Sequence, residues 1–395
     1  MNVIFFDDNE VRKNLLPLTY TRPIARLRLG ITTLEQKWQQ LLGDKANTYS
    51  YLTATYLTKL FPAVVRRDNL LIAANVVATP ALVTEVTSLS PGEALMQGET
   101  LLAFRGTAHS FDKRHFKRTR YSAAGPVSIN YLYELFEHNG AAIEADFERL
   151  TVGRESCPVP ATSCTVIGDP KRLFLEAGAV VDGATLNTRE GAIYIGKDVE
   201  VMEGACVRGP FSALDGSKVR IGSKVYGATS LGPQCKIGGE VENTIIIGYS
   251  NKAHEGFLGD AVIGEWCNLG GGTTTSNLKN DYGEIKLWNY NAQRFLRTGR
   301  QFCGPIMGDH CKTGINSMLN TATVLGVAVN IHGAGFPRNF VPSFMEGNSS
   351  AGFKNVDFEV FLATARRVMA RRGIELTDDL RDVYSAIYNI SDRYK

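Results

Sequence analysis

The feature that most constrains the fold of this chain is a recurring pair in its second half, an aliphatic residue followed by glycine. The pairs that begin at Leu231 and Ile237 are six residues apart, as are those at Ile263 and Leu269. Six residues is the step of a hexapeptide β-helix, in which one branched aliphatic side chain per flat face points inward and small residues form the corners. The full set is Ile167-Gly168, Ile195-Gly196, Ile221-Gly222, Leu231-Gly232, Ile237-Gly238, Ile247-Gly248, Leu258-Gly259, Ile263-Gly264 and Leu269-Gly270.

This spacing predicts a left-handed parallel β-helix over residues 160–345. Residues 273–301 break the period, so we expect them to form loops that leave the coil. The alternative is a glycine-rich antiparallel β domain, which the six-residue step disfavours. From about residue 353 the pattern turns helical, and 346–395 is predicted to be a helical tail. Its apolar face is expected to comprise Val360, Phe361, Ala363, Thr364, Val368 and Met369.

The first 155 residues have a different pattern and are predicted to form a separate α/β domain. Short apolar runs alternate with segments of helical periodicity, and a Pro- and Ser-containing stretch at 156–160 marks the boundary. A chain of 395 residues with 44% apolar residues is long enough for two domains. Expected strands are 3–6 and 69–74, and expected helices are 32–42, 80–89 and 126–139.

Composition limits the binding partners and the cellular compartment that we expect for this protein. Lys plus Arg (43) nearly balances Asp plus Glu (40), so no nucleic-acid surface is expected. The start of the chain lacks the basic and apolar regions of a signal peptide, and no apolar run is long enough for a membrane helix. We therefore expect a cytoplasmic protein with no membrane partner. The seven cysteines include no C-x-x-C pair, which favours reduced thiols and no metal site.

A specific motif lies inside the predicted coil. The segment 251–260 reads Asn-Lys-Ala-His-Glu-Gly-Phe-Leu-Gly-Asp, and 268–279 and 312–316 continue the match. These segments resemble the acetyltransferase half of bifunctional UDP-N-acetylglucosamine pyrophosphorylase/glucosamine-1-phosphate acetyltransferases. The resemblance is closest to archaeal-type two-domain sugar-phosphate enzymes and to a divergent bacterial branch. It covers residues 160–345 by specific motifs, and residues 1–150 only in outline.

The resemblance implies that His254 is the general base. An amino group is largely protonated near neutral pH, so acyl transfer needs a group that removes a proton as nitrogen attacks a thioester carbonyl. Imidazole, with an ordinary pKa of about 6.5, is suited to this task. The structural alternative is a histidine that merely occupies a corner of the coil. The flanking Leu258-Gly259-Asp260 match favours the base.

Other site residues follow from the same resemblance. Asn268 and Asn277 correspond to the asparagines that hold the sugar, although asparagine also serves as a left-handed turn residue. Gly271, Ile315 and Gly333 correspond to positions whose backbone groups contact the pantetheine arm of acetyl-CoA. Glycines also occur at corners for geometric reasons alone.

The chain departs from the family around the sugar phosphate. Phe257 replaces a tyrosine, so one substrate-binding hydroxyl is missing. The two basic residues that precede the histidine in the bacterial family are represented at most by Lys224. Cations that could bind phosphate instead, or be solvated surface charges, are Lys252, Lys279, Lys286 and Arg300.

The first domain resembles sugar nucleotidyltransferases, with a nucleotidyltransferase-like, Rossmann-like fold, but lacks their catalytic signature. No glycine precedes Gly30, and the place of the Gly-rich phosphate loop is taken by Asp7-Asp8-Asn9-Glu10, whose carboxylates would repel a triphosphate. Ile24 stands where the lysine is expected, and Asn75 replaces a metal-binding aspartate. We therefore expect weak or absent nucleotidyltransfer. Arg12, Lys13 and Arg22 are candidate nucleotide-binding residues, with a basic surface strip as the alternative.

The sequence thus predicts an acetyl-CoA-dependent N-acetyltransferase acting on an amino-sugar 1-phosphate, with Mg²⁺ needed only if the first domain is active. The resemblance implies a homotrimer, because acetyl-CoA sites on such coils lie between neighbouring subunits. Three other classes stay open: a sugar-1-phosphate nucleotidylyltransferase whose coil serves assembly, a zinc hydratase, and a non-catalytic scaffold. The scattered histidines disfavour the hydratase.

Overall fold

The computed structural model describes residues 1–112 and 115–395. The chain divides into two compact units, and the long helix before the coil belongs to the second of them rather than to the first. The first unit comprises Met1–Leu15, Thr21–Leu27 and Thr32–Tyr131, and the second comprises Leu16–Tyr20, Arg28–Ile31 and Leu132–Lys395.

The first unit is built on a mixed sheet. Asn2–Phe6, whose five residues are all buried, pairs in parallel with the strands on either side of it. Thr100–Gly106 then joins antiparallel to its neighbours. Among the described residues the strand order is Thr48–Leu52, Asn2–Phe6, Asn69–Ala73, Thr100–Gly106, Glu93–Gln97 and Arg118–Tyr121. The strands predicted at 3–6 and 69–74 are confirmed.

The helices of the first unit begin at side-chain caps. The helix predicted over 32–42 begins at a capping box, in which Thr33 and Gln36 bond each other's backbone N–H groups. The helix predicted over 80–89 follows the cap of Thr79 and has Pro80 in its first turn. Helices in this unit are α1 (Asn9–Asn14), α2 (Leu34–Leu42), α3 (Pro80–Thr87) and α4 (Ala108–Asp112), with 3-10 turns at Ile24–Arg26, Gly43–Lys45 and Thr55–Leu57.

Most of the second unit is a three-sided parallel β-helix, which confirms the predicted fold class and excludes the antiparallel alternative. Three faces of short strands recur in the same order along the chain. Face 1 contains Leu173–Leu175, Ile193–Ile195, Phe211–Ala213, Thr229–Leu231, Ile245–Gly248, Val262–Glu265, Ile306–Met307, Val324–Leu325 and Phe340–Val341. Face 2 contains Val180–Val181, Glu200–Val201, Lys218–Val219, Lys236–Ile237, Asn251–Lys252, Asn268–Leu269, Lys312–Thr313, Asn330–Ile331 and Met345–Asn348, with Gly352–Asn355 added antiparallel.

Face 3 contains Thr165–Ile167, Thr185–Asn187, Cys206–Arg208, Lys224–Tyr226, Glu240–Glu242 and Phe257–Gly259, followed by the pair Thr274–Thr275 and Met318–Leu319.

Successive turns of the coil are paired in register. On face 2, Val201 pairs with Val219, and Val219 pairs with Ile237, so that these two turns of the coil consist of three hexapeptides each. These side chains belong to one buried aliphatic core. Burial of such a column is what stabilises a coil whose strands are so short.

The segment predicted to leave the coil, residues 273–301, begins within it, because Thr274–Thr275 still pair with Met318–Leu319. The rest of the segment is not irregular throughout. Lys286–Asn289 and Arg294–Arg297 form an antiparallel hairpin. Trp288 in this hairpin stacks on Phe340, with ring centroids 4.1 Å apart.

Three helices belong to the second unit: α5 (Leu132–Thr151), α6 (Phe358–Ala370) and α7 (Asp378–Ser391). The predicted tail is helical, but its buried face differs from the expected one. Phe361 and Met369 are buried as predicted, whereas Val360 is 60% exposed and Leu362 and Ala365 are buried instead. Within residues 1–112 and 115–395, none of the helices combines the length and apolar character needed to cross a bilayer.

Candidate functional site

His254 lies at the corner of the coil between Asn251–Lys252 on face 2 and Phe257–Gly259 on face 3, and it is exposed. Gly256 makes this corner possible. Its φ is +120°, and a β-carbon there would come 2.0 Å from the carbonyl oxygen of Thr273. Any side chain at this position would therefore collide with the next coil. The chain turns sharply into the core and leaves the imidazole at the surface.

A cavity of about 700 Å³ opens beside His254. Its floor is the outward row of face 2, where Lys236, Asn251, Asn268 and Lys312 lie on successive coils. The structure brings together four residues predicted from the motif, namely His254, Asn268, Gly271 and Ile315. The cavity is lined by Lys236, Tyr249, Asn251, Ala253, His254, Trp266, Cys267, Asn268, Leu269, Gly270, Gly271, Lys312, Ile315, Val368, Arg371 and Arg372.

Two arginines that directly follow α6, Arg371 and Arg372, form a basic wall that was not predicted from the sequence. The Nη2 atom of Arg372 lies 3.4 Å from Oδ1 of Asn251, and its Nε is buried without a hydrogen-bond partner in the described part of the chain. Burial, then the charges of Arg372 and other nearby cations, lower the pKa of Lys236. Arg372 lies near other cations and has an unsatisfied N–H donor, and both properties favour the binding of an anion.

Two lysines near the cavity, one buried and one half-buried, bond to different corners of the coil. Lys252, predicted as a phosphate ligand, is only 2% exposed, and its Nζ donates to backbone carbonyls of Gly238 and His254. The structure therefore gives it an interior environment rather than the expected surface one. Burial lowers its pKa to about 8. Lys312 donates to the carbonyl of His310, and burial lowers its pKa as well.

Phe257 and Asn277 lie on the adjoining face rather than in the cavity lining. A β-carbon built on Gly259 would come 2.5 Å from the ring of Phe257 and 3.0 Å from the amide nitrogen of Asn277, so these two side chains are neighbours. Asp260 accepts 2.7 Å hydrogen bonds from the amides of both Asn277 and Asn243. Burial raises the pKa of the Asp260 carboxyl. This carboxylate therefore orients the amide of Asn277.

The remaining predicted cations of the coil have partners or lie elsewhere. Lys279 pairs with Asp281 at 3.0 Å, and it lines a second cavity together with Lys286. Arg300 forms a two-pronged ion pair with Glu137 and stacks over Tyr133.

Gly333 has a geometric reason to be glycine, because its φ is +89°, and a β-carbon there would also come 2.6 Å from the Asn348 amide nitrogen. Among the described residues, no three His, Cys, Asp or Glu side chains are arranged to hold a metal ion.

In the first unit, the predicted nucleotide-binding residues are largely engaged in the fold. Arg12 is buried, lies 3.4 Å from the Asp7 carboxylate and donates to the hydroxyl of Tyr56. Arg22 is buried as well, whereas Lys13 is exposed in the last turn of α1.

Residues 7–10, which replace the Gly-rich phosphate loop, also form local hydrogen bonds at the start of α1. The Asp8 carboxylate accepts hydrogen bonds from the N–H groups of Glu10 and Val11 at the start of α1. Asn75 donates its amide to Asn130. These neutral amides do not fit a Mg²⁺ site, which requires carboxylate oxygens.

Comparison with known proteins gives a family match over the first part of the chain and partial matches to bifunctional proteins. Residues 3–155 match the family model described as sugar nucleotidyl transferase. The chain is 32% identical over 145 residues to a bifunctional sugar-1-phosphate nucleotidylyltransferase/acetyltransferase of Sulfurisphaera tokodaii, covering 36% of each chain. The resemblance predicted from the sequence is confirmed. A second relative, the bifunctional protein GlmU of a Synechococcus species, is 33% identical over 173 residues, which cover 43% of this chain and 30% of the relative.

The matches span only about a third of the length of these relatives. Among solved structures, a hexapeptide transferase family protein from Anaplasma phagocytophilum covers 59% of this chain and 93% of its own, at 14% identity and a TM-score of 0.17. AntD, an N-acyltransferase from Bacillus cereus, covers 53% and 93% at 10% identity and a TM-score of 0.22. The assignment of the coil therefore depends on the strand pairing of this chain itself.

Proposed function

We propose that this protein is an acetyl-CoA-dependent N-acetyltransferase that acts on an amino-sugar 1-phosphate of the glucosamine 1-phosphate type. The observation that carries the proposal is the exposed imidazole of His254 at the edge of a cavity that also contains Asn268, Gly271 and Ile315. All four residues come from the motif that resembles the acetyltransferase half of the bifunctional enzymes. The relative from Sulfurisphaera tokodaii, which is named for both activities, supports the same interpretation.

In the proposed reaction, acetyl-CoA supplies the thioester carbonyl. The imidazole of His254 accepts the proton that the sugar amine loses as its C–N bond to the acetyl carbon forms and the C–S bond breaks. The imidazolium then returns this proton to the leaving thiolate, so that the products are the amide and the free thiol of CoA. One side chain thus serves as base and then as acid.

The basic wall of the cavity fits the phosphates of the cofactor. Arg371 and Arg372 stand on one side of the same cavity as His254, with Lys236 on its floor. Arginine binds phosphate through paired N–H donors, and the buried Nε of Arg372 has such a donor to offer. We assign these three residues to the phosphate groups of acetyl-CoA.

The acceptor is proposed to bind beside face 3, where Phe257 and Asn277 are neighbours. The amide of Asn277, held by Asp260, can contact a sugar hydroxyl or acetamido group. Phe257 contributes an apolar surface where the related enzymes have a hydroxyl.

A homotrimer, the assembly expected from the resemblance, is part of the same proposal and can be checked by sedimentation equilibrium.

The decisive experiment measures thiol release from acetyl-CoA with glucosamine 1-phosphate and galactosamine 1-phosphate as acceptors. We expect His254→Ala to lower kcat by about 100-fold or more, because general acid–base catalysis contributes on that scale. His115→Ala, at an exposed position of the first unit, is the matched control. Unchanged turnover in His254→Ala, or no thiol release with any amino-sugar phosphate, would refute the assignment.

Nucleotidyl transfer is the second candidate, favoured by the family match of residues 3–155. We propose that this activity is weak or absent, because Asp8 occupies the N–H groups at the start of α1 and Asn75 is bonded to Asn130. The test is pyrophosphate release from UTP or dTTP with a sugar 1-phosphate and Mg²⁺. Release at an ordinary enzymatic rate would overturn the proposal.

A further inference from the structure

Lys252 occupies a position that the rest of face 2 gives to uncharged side chains. It pairs in register with Ile237 on the preceding coil, and Ile237 pairs in turn with Val219. The residue at the corresponding place on the next coil is Leu269. Lys252 is therefore an inward-facing residue of the coil, and its side chain is buried in the column where aliphatic residues form the core.

The end of this buried side chain reaches the corner that carries His254. The Nζ atom of Lys252 donates to the carbonyl oxygen of His254 at 2.6 Å and to that of Gly238 at 3.1 Å. The first contact fixes the peptide group that joins His254 to Glu255. The second ties the same ammonium to the corner of the preceding coil. The backbone at His254 is thus held from inside the prism.

A charged group in an apolar core is costly unless its hydrogen bonds are satisfied, and burial alone makes this position unfavourable for lysine. Among the described residues, the charge of Glu255 favours the ammonium form. The residues at the same interior place on the adjoining coils, Ile237 and Leu269, are apolar. An aliphatic residue would suit the coil as it does at the neighbouring positions, so the lysine calls for a reason beyond packing.

We propose that Lys252 is a positioning residue that fixes the His254 corner and thereby the direction of the imidazole. The proposal rests on the proposed function of His254. A base must lie within hydrogen-bond reach of the proton it removes, so small rotations of the peptide group that carries it are costly to turnover. Lys252 itself does not contact substrate. Its role is carried by the two carbonyl groups.

The test compares Lys252→Met with Ile237→Met, which changes the interior position paired with Lys252 and keeps the lysine itself. Thermal unfolding, kcat and the KM for acetyl-CoA are measured for each purified protein. We expect Lys252→Met to keep its melting temperature within about 3 °C while kcat falls about 10-fold, the size of effect that loss of alignment produces. The KM for acetyl-CoA is expected to change less than twofold. Ile237→Met is expected to keep the wild-type kcat.

Lys252→Gln is a conservative variant whose amide NH2 group can still donate to the carbonyls, and it is expected to recover part of kcat. An unchanged kcat in a folded Lys252→Met protein would overturn the proposal. Parallel losses of melting temperature and kcat in both Lys252 variants would assign the residue to stability alone and overturn it equally. Failure of the proposed role of His254 would be recognised separately, because His254→Ala would then have the wild-type kcat.

Discussion

Gly271 lies directly beside the imidazole of His254: a β-carbon at position 271 would come 3.7 Å from Cγ and 3.9 Å from Cδ2 of the ring. This separation is ordinary van der Waals contact, and no positive φ requires glycine here. We therefore expect Gly271→Ala to fold and to gain about 0.4–1 kcal/mol, because alanine restricts the unfolded chain. The added methyl group would cover one edge of the ring and raise the KM for acetyl-CoA. Thermal unfolding and steady-state kinetics measure both effects.

The adjacent glycine provides the contrast to Gly271→Ala. Gly272 has φ of +72°, and a β-carbon there would come 2.0 Å from Oδ1 of Asn316. Gly272→Ala is expected to lower stability by about 1–3 kcal/mol through strain. If both alanine variants lowered stability equally, the two glycines would share a geometric role and the contact with His254 would not explain Gly271.

The hydrogen bonds of Asp260 predict an effect confined to the acceptor. In Asp260→Asn, the new amide cannot accept from both Asn243 and Asn277, because one of its two atoms is a donor. Asn277 should then lose its fixed orientation, and the KM for the amino-sugar phosphate should rise about 10-fold, equivalent to one hydrogen bond of about 1.4 kcal/mol. The KM for acetyl-CoA should stay constant.

Asp281→Asn is the control for this effect, because Asp281 is an exposed partner of Lys279. An equal rise of both KM values in Asp260→Asn would indicate a general distortion of the coil. In that case Asp260 would serve the fold rather than the acceptor site.

The coil was predictable from the sequence because its signal is local and repeated. Val201, Val219 and Ile237 recur at a constant step of three hexapeptides, and the aliphatic-glycine pairs expose the six-residue step directly. The register of Lys252 was not predictable in the same way. Its step from Ile237 is shorter than three hexapeptides, so counting by hexapeptides does not reveal that its side chain faces the core.

The site was predictable only where one motif carries it. His254, Asn268 and Gly271 lie close together in the sequence. They are on successive turns, which a β-helix places directly next to one another. Arg372 lies 121 residues after Asn251, and their contact depends on how α6 packs on the coil. The repeated arginine pairs at 366–367 and 371–372 were visible in the sequence, but only the structure shows which pair lines the cavity.

The basic wall predicts a selective loss of cofactor affinity. Arg372→Gln removes a cation whose Nε is buried and without a partner among the described residues, so we expect the KM for acetyl-CoA to rise about 10-fold with a small change in kcat. The defect should shrink when 3′-dephospho-CoA thioesters are used if this arginine meets the 3′-phosphate. Arg367→Gln, in the last turn of α6 but outside the cavity lining, is the control. Equal effects of both variants would point to general surface charge.

The buried ammonium of Lys252 predicts a pH-dependent stability. Burial lowers its pKa in the folded protein to about 8, below the value of about 10.4 expected in the unfolded chain. Between these values the unfolded state binds more protons, so stability contributed by this group rises with pH. Relative to Lys252→Met, the wild-type protein should gain up to about 3 kcal/mol between pH 7.5 and pH 10.5. Urea unfolding of both proteins across this range measures the difference between their free energies of unfolding. Other titrating groups are common to both proteins, so their contributions cancel in this difference. A difference that stays constant with pH would place the ammonium of Lys252 in water rather than in the coil.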